Sequence, residues 1–408
     1  MNNNLVKSIK KIMLVLVLLA TGLASFPASG VRADSVPFSD IPANHWAKGG
    51  IDSAVKKGIV VGYPSGLFMP NANVSRAEFI KMIVTATGQN VETTEGKWYE
   101  GYVNAAEQAK LYVTSDFANS ELEWNAKITR KEMARIAARA TGLETKEDDK
   151  WMYLATKTGL ISGLGSGKLG EKENTTRAQA VVTVERVLTV KGGGKLPIDK
   201  YAVGSAELVW HKTNIFTVMP EIMTTGDPVK DLSAADLWKE DKMKITSKDG
   251  LYSAELDELL VIDLADKNDP NLAQIPDVAT LKWKNTTDNT PDGIKIAGEY
   301  LNSYLLYSKG HVNFNNDTKR YSPMGDFTAE FSGLDNYYER VAFVNGHLNA
   351  QALVFQKIPF DLPMTILPKS GWKNTSGIYI RVAVPSYSAF YSLRNEILKI
   401  AGPNRTQY

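Results

Sequence analysis

Residues 34–190 carry apolar residues at helical spacing in two alternating kinds of segment. Segments of the first kind are opened by a tryptophan and are predicted as helices over 46–57, 98–110 and 151–158. Ile51, Ala54 and Val55 fall on one face of the first of these helices. A glycine-rich or polar loop follows each segment and leads into a second apolar helix. Such short helix pairs cannot bury an apolar face alone, so three pairs are expected to pack about a common axis.

The second helices all begin with nearly the same phrase. It reads NVSRAEF at 73–79, KITRKEM at 127–133 and NTTRAQA at 174–180. Each phrase contains the S/T-x-x-E/Q capping box, in which two side chains satisfy two backbone N–H groups at a helix start. The pairs are Ser75 with Glu78, Thr129 with Glu132, and Thr176 with Gln179. Each box should stabilise its helix by ~1 kcal/mol.

The arginine inside each phrase is not explained by capping. Arg76, Arg130 and Arg177 stand at the first helical position, where a cation opposes the helix dipole at a cost of ~0.3–1 kcal/mol. A guanidinium beside a helix N-terminus suits a carboxylate or phosphate. The pattern therefore predicts three related anion sites, with a structural acid from a neighbouring unit as the alternative.

At this point the chain resembles a known family. The stretch FSDIPANHWAKGGIDSAVKKGIVVGYPSGLFMPNANVSRAEFIKMIV is similar to an S-layer homology repeat. The matching features are Phe38, Asp40, Trp46, the GIVVGY turn, Phe68, Pro70 and the SRAE box. Residues 94–141 and 148–189 resemble divergent second and third copies. The resemblance implies a pseudo-threefold helical bundle whose grooves bind the secondary cell-wall polysaccharide, often through an acidic, pyruvylated sugar.

The resemblance also implies binding residues. In the first repeat they are Asp40, Trp46, Gly62, Tyr63, Ser75 and Arg76, and in the other two Thr129, Arg130, Thr176 and Arg177. The second repeat reads KLYVTSDF in place of the glycine-tyrosine turn, and the third carries Gln179 in place of the acid. We therefore expect the first site to be the most competent, so that Arg76→Ala weakens wall binding more than Arg177→Ala.

After residue 197 the pattern changes to short alternating runs that predict strands. They are ELVWH, LLVIDL, ATLKWK, DFTAEFS, ERVAFVN, QALVFQKI and GIYIRVAV. The final stretch YSAFYSLRNEILKIAG is predicted as an amphipathic helix. A mainly β domain follows, α+β or a sandwich, with no recognised family. Its tryptophans are expected in the core rather than on a binding platform: Trp210, Trp238, Trp283 and Trp372.

The N-terminus has the pattern of a secretory signal peptide. Basic residues precede the apolar run IMLVLVLLATGLA, and cleavage is expected after Ala33. Cleavage removes four basic residues and no acid, which changes the formal net charge from +2 to −2. A near-neutral chain is not expected to bind nucleic acid or an anionic membrane generally. No other stretch is apolar enough to span a bilayer.

The sequence contains little that indicates catalysis or a cofactor. It has no cysteine, and its four histidines lack metal-ligand spacing. Calcium remains open at the acidic loops 263–271 and 288–299, and otherwise no cofactor is expected.

The predicted organisation is a multidomain exported protein. It comprises a signal peptide (1–33), repeats at 34–90, 91–145 and 146–190, a flexible linker KGGGKLP (191–197), and a C-terminal domain (198–408). We expect a non-enzymatic, wall-anchored surface protein that displays a lattice-forming or ligand-binding domain. Its partners would be the wall polysaccharide and, as a second class left open, other surface proteins. The alternative is an anchored polysaccharide hydrolase carried by residues 198–408.

Overall fold

A computed structural model describes residues 38–224, 233–284, 292–323, 327–336, 348, 351–374, 377–400 and 405–407. The predicted signal peptide, the predicted strand ERVAFVN and residues 288–291 of the second acidic loop lie outside these ranges. Within the described ranges, every helix is too short or too polar to span a bilayer.

The first half is helical, as its periodicity predicts. The helices are α1 (Lys48–Lys56), α2 (Arg76–Ala86), α3 (Glu100–Gln108), α4 (Glu121–Asn125), α5 (Arg130–Ala140), α6 (Lys150–Lys157), α7 (Arg177–Lys191), α8 (Lys200–His211) and α9 (Ile215–Val218). Helices α2, α5 and α7 contact one another. Each remaining helix of a pair packs on the central helix of the preceding unit: α3 on α2, α6 on α5, and α1 on α7. Each unit therefore buries its outer helix against a neighbour.

The three recurring phrases meet in a closed ring of backbone hydrogen bonds. Val74 N–H donates to the carbonyl of Thr175 at 3.1 Å, Thr175 to Ile128 at 2.8 Å, and Ile128 to Val74 at 3.1 Å. All three residues are buried. Because buried backbone groups must be paired, this ring holds the three helix starts together.

Helix α8 joins the helical half to the sheets. Asp199 caps it, and its buried residues Ala202, Ala206 and Trp210 belong to the core of the helical half. The prediction of a strand at ELVWH was wrong, because those residues form the last turns of this amphipathic helix. In the preceding segment 191–197 every residue is exposed except Leu196, which packs against the same core.

The second half is mainly antiparallel β-structure. Its strands are β1 (Lys244–Thr246), β2 (Tyr252–Asp263), β3 (Lys282–Lys284), β4 (Ile294–Lys295), β5 (Ser303–Asn315), β6 (Ala329–Ser332), β7 (Asp335–Asn336), β8 (Ala352–Phe355), β9 (Met364–Pro368), β10 (Trp372–Asn374), β11 (Ile378–Ala383), β12 (Arg394–Ile400) and β13 (Arg405–Gln407). One sheet has the order β1-β2-β5-β9-β8-β3-β4, and two smaller sheets have the orders β13-β10-β7 and β12-β11-β6. The four tryptophans expected in the core are buried, which confirms that prediction.

The two faces of the seven-stranded sheet contribute side chains to two separate apolar cores. Leu259 and Val261 of β2 pack with residues of β11 and β12, whereas Leu260 and Ile262 pack with Trp283 and the β8–β9 pair. This alternation follows from the two-residue period of a strand.

The prediction of a C-terminal helix was wrong. Residues 394–400 form β12, paired with β11, and Ile397 and Leu398 are both buried although they are adjacent. The register shifts between Ile380 and Arg381, so Ile397 is the extra residue of a β-bulge. The bulge lets neighbouring residues face the core, which produces spacing that resembles a helix in sequence.

Candidate functional site

The capping boxes form as predicted in all three phrases. Ser75, Thr129 and Thr176 each accept the backbone N–H three residues on, and Glu78, Glu132 and Gln179 each accept the N–H of the capping residue. These hydroxyl groups are therefore engaged in fixing the starts of α2, α5 and α7.

The three arginines lie in three grooves between units, named here by their arginine. The main-chain N–H of each arginine donates to a backbone carbonyl of another unit. Arg76 donates to Ala126, Arg130 to Glu173 and Arg177 to Ala72. The side chains are mostly covered, and Arg130 is 4% exposed and Arg177 9%. What lies opposite each guanidinium differs from groove to groove.

In the Arg76 groove the guanidinium is paired with carboxylates of the second unit. Its Nη2 lies 2.6 Å from Oε1 of Glu132, and its Nη1 contacts both the carbonyl, at 3.0 Å, and the carboxylate of Glu123. Phe117 covers it, with its ring centroid 4.5 Å from Cζ. Burial alone would lower the pKa of Arg76, but the hydrogen bonds and charges of the two glutamates raise it.

A second set of ion pairs is centred on Asp116, which precedes Phe117 in the chain. Asp116 accepts from Arg135 at 2.7 Å and from Arg139 at 3.0 Å, and its side chain is 5% exposed. Burial opposes its ionisation, yet the two arginines lower the pKa of Asp116 below its usual value. Arg139 also lies over Trp151, which is buried. Arg76, Arg135 and Arg139 are thus all paired with acids of the chain itself.

The Arg130 groove is a concave cavity of about 340 Å³. Arg130 Nε donates to the carbonyl of Leu169 at 2.8 Å, and Nη2 donates to that of Ser162 at 2.7 Å. Arg186 and Gln179 of α7 also line the groove, and Trp46, which is 64% exposed, forms part of its rim. In the described part of the chain, no acidic side chain forms an ion pair with either arginine. Burial lowers the pKa of both Arg130 and Arg186.

The Arg177 groove has a cavity of about 320 Å³. Arg177 Nη2 donates to the carbonyl of Val61 at 2.6 Å, and the guanidinium lies over Tyr63 and Phe68. Its Nε is buried and has no hydrogen-bond partner in the part of the chain that the structure describes. Glu78, Lys81 and Trp98, the last 54% exposed, complete the lining.

The other residues implied by the resemblance are placed as follows. Asp40 accepts the N–H groups of Phe68 at 2.9 Å and Met69 at 2.7 Å, so both of its oxygens hold the loop before Ser75. Burial opposes ionisation, but these bonds lower the pKa of Asp40. A Cβ at Gly62 would lie 2.2 Å from the ring of Phe38. Asp40 and Gly62 thus shape the turn, and Tyr63 contacts Arg177.

The structure therefore divides the residues of the first repeat among different grooves. Trp46 lines the same groove as Arg130, and Tyr63 contacts Arg177. Arg76 forms ion pairs with acids of the second repeat. Sequence reasoning did not identify Arg186, Lys81, Trp98 or Asp116. A signal for Arg186 was present, since it stands nine residues after Arg177 as Arg139 stands after Arg130.

The acidic loop 263–271 directs its carboxylates to protein groups. Asp263 pairs with Lys369 at 2.6 Å, Asp266 accepts from Lys200 at 2.6 Å, and Asp269 accepts the N–H of Asn271 at 2.9 Å. Over the described ranges, no group of three or more acids or histidines is arranged to hold a metal ion.

Comparison with known proteins identifies the first repeat. Residues 37–80 match the model of the S-layer homology domain. An amylopullulanase of Thermoanaerobacterium thermosulfurigenes is 32% identical over 182 residues, 38% of this chain and 10% of that protein. The outer membrane protein SlpA of Deinococcus radiodurans is 34% identical over 139 residues, 32% of this chain and 12% of that protein.

A third relative shares more of the chain. An S-layer protein of Bacillus licheniformis is 28% identical over 269 residues, 60% of this chain and 28% of that protein. This chain covers less than a third of the length of any of these three relatives. Residues 37–80 are an S-layer homology domain, as predicted, and the domain and the S-layer relatives indicate a secreted, cell-wall-associated protein of the cell surface.

Proposed function

We propose that the three repeats anchor this protein to the cell wall by binding an acidic secondary wall polysaccharide in the Arg130 and Arg177 grooves. The observation that carries the proposal is that each groove combines an exposed tryptophan with a buried arginine that forms no ion pair among the described residues. A buried cation without a counter-charge is costly, and an acidic ligand would supply that charge.

The dimensions and composition of the grooves suit a sugar ligand. Both cavities fall within the ~300–1,000 Å³ typical of small-ligand sites. Trp46 and Trp98 offer flat apolar faces beside polar groups, the combination that makes aromatic residues frequent at binding surfaces. A pyruvylated sugar would place a carboxylate against the guanidinium and its ring against the indole.

The Arg76 groove is proposed as a structural contact. Its guanidinium already has the glutamates that an acidic ligand would have to displace. The ranking suggested by the sequence, with Arg76 as the leading site, is therefore not the one that we propose.

The second half is proposed to be a displayed, non-enzymatic surface domain. Residues 1–197 are less than half of the chain, so the 60% match to the B. licheniformis S-layer protein must extend into the segment after them. That relation favours a surface-layer role over the alternative of an anchored hydrolase. Turnover of polysaccharides by the full chain would contradict this part of the proposal.

The anchoring proposal is tested by sedimentation with purified cell walls. Trp46→Ala and Trp98→Ala each remove an exposed side chain, so folding should be preserved while binding weakens, and the double variant should lose most wall binding. Leu122→Ala, at a side chain 80% exposed and outside the linings of both grooves, is the matched control. Equal sedimentation of the wild type and the double variant would refute the use of these grooves.

A second arm tests the polymer. Walls stripped of their secondary polysaccharide should no longer retain the wild-type protein. Retention by the bare peptidoglycan would show that the anchor recognises a different polymer.

A further inference from the structure

The central helices α5 and α7 carry an additional arginine at the same register. Counting from the arginine of each phrase, Arg139 and Arg186 stand nine residues on, whereas the first unit has Thr85 there. Arg139 is bound to Asp116, whereas Arg186 lines the Arg130 groove and, within the described ranges, donates only to the carbonyl of Leu160, at 3.3 Å. The equivalent cation is thus paired with an acid on α5, whereas on α7 it forms no ion pair with any described residue.

From this difference we infer that the Arg130 groove is the principal site for the acidic group, which is held between the guanidinium groups of Arg130 and Arg186. The inference rests on the proposed wall-binding function and makes it more specific. It assigns binding roles to Arg186 and Gln179 and ranks the Arg130 groove above the Arg177 groove.

The charges of the lining residues support the ranking. The lining of the Arg130 groove contains two arginines and no acid. That of the Arg177 groove contains Arg177 and Lys81 together with Glu78. The ammonium of Lys81 also lies over two rings, 5.7 Å from the centroid of Trp98 and 5.5 Å from that of Tyr102. The Arg130 groove therefore presents the larger uncompensated positive charge.

Gln179 is responsible for part of this difference. As the last residue of the third capping box, it accepts the N–H of Thr176 at 2.9 Å through Oε1, which leaves its NH₂ group as a donor. At the corresponding position of the Arg177 groove, Glu78 makes the same bond at 2.6 Å and brings a negative charge. The amide thus preserves the cap while removing a carboxylate that would repel an acidic ligand.

The groups near Arg130 leave room for an anion. Burial lowers the pKa of Arg130, Glu173 partly offsets this effect, and the charge of Arg186 lowers the pKa further. Glu173 is itself paired with Lys168 at 2.6 Å. Arg130 and Arg186 repel each other, and among the described residues their hydrogen-bond partners are backbone carbonyls. Both would gain from one shared anion, since guanidinium–anion hydrogen bonds are strong and can be bidentate.

The experiment measures binding of purified wall polysaccharide to the full chain by titration calorimetry. Arg186→Gln should weaken binding about tenfold or more, because it removes one charge-assisted contact. Gln179→Glu should weaken binding about fivefold while leaving the melting temperature unchanged or higher, because glutamate also completes a capping box. Lys191→Gln, at the exposed end of the same helix, is the matched control and should bind as the wild type does.

Reciprocal changes in the other groove test the ranking. Lys81→Gln should weaken binding less than Arg186→Gln does, and Glu78→Gln should leave binding unchanged or stronger. A larger loss with Lys81→Gln, or wild-type binding by both Arg186→Gln and Gln179→Glu, would overturn the inference. In both cases the wild-type protein would still sediment with cell walls. The inference would then have failed while the proposed function remained supported.

The acidic group can be a carboxylate or a phosphate, and chemical treatment of the glycan distinguishes them. Reduction of its carboxyl groups to alcohols should abolish the dependence on Arg186 if a carboxylate is bound, and removal of phosphate should do so if a phosphate is bound. Persistence of that dependence after both treatments would contradict recognition of an acidic group.

Discussion

Glu207 tests how burial of a carboxyl group makes folding stability depend on pH. It lies on α8, the helix that connects the helical half to the sheets. It is fully buried, and accepts from the N–H of Phe216 at 2.9 Å and from the hydroxyl of Thr217. Burial raises its pKa to about 8, although these hydrogen bonds act in the opposite direction. The carboxyl group is therefore predominantly protonated in the folded protein at neutral pH.

The sign of the pH dependence follows from this shift. Unfolded Glu207 ionises near its ordinary pKa of 4.5, so the unfolded state gains stability as the pH rises from there to about 8. Folding stability is accordingly greatest below pH 4.5 for this group and declines up to about pH 8. At ~1.4 kcal/mol per unit of pKa shift, the loss has an upper bound of about 5 kcal/mol.

Glu207→Gln should remove this loss. The amide resembles the protonated carboxyl group in shape. Its Oε1 can accept the N–H of Phe216 and its NH₂ can donate to the hydroxyl oxygen of Thr217, so the variant should match the wild type near pH 5 and be more stable at pH 8. The assay is thermal unfolding followed by circular dichroism across this range, with an expected difference in Tm of ~5 °C at pH 8. Glu95→Gln, at an exposed position, is the control. Parallel pH profiles for wild type and Glu207→Gln would refute the burial argument.

Three further predictions concern stability. Asp116→Asn should destabilise the helical half by ~3–5 kcal/mol, because it removes the buried carboxylate that Arg139 and Arg135 share and leaves Arg135 with only the exposed Asp148; an unchanged denaturation midpoint would contradict this reading. Thr129→Ala should lower the free energy of unfolding by ~1 kcal/mol, measured by chemical denaturation, because a helix cap is lost. Thr129→Ser should keep most of that stability, because serine can also cap the helix. Calcium and chelator should leave the Tm unchanged, because the carboxylates of Asp263, Asp266 and Asp269 are directed to protein groups; a calcium-dependent rise would revive the calcium hypothesis.

Local sequence was a good guide wherever the stabilising contact is local. The capping boxes link residues three apart, so both their position and their partners could be predicted. The strands β2 and β11 could be predicted because their apolar residues alternate or run together within one element. The same local reasoning failed at ELVWH, because Val209 and Trp210 favour a strand but lie near the end of a helix that Asp199 caps at its start. It failed again at β12, where a bulge depends on the partner strand.

The candidate site was predicted only in part. Arg130 and Arg177 could be proposed because a cation at a helix start needs an explanation beyond capping. The ion pairing of Arg76 could not be predicted, because the two glutamates that bind its side chain lie 47 and 56 residues away along the chain. Gln179 looked like the loss of a functional acid in the sequence, yet it completes its capping box and lines the Arg130 groove without a negative charge.

The sequence by itself determined the number of repeats, the starts of their central helices and the residue type placed at each start, since these depend on backbone groups within one turn of helix. The tertiary structure alone decided which side chains share a groove. Each outer helix packs on the preceding unit, so the tryptophan of one repeat meets the arginine of another, and only that packing determines whether a guanidinium faces an acid of the chain or an open cavity.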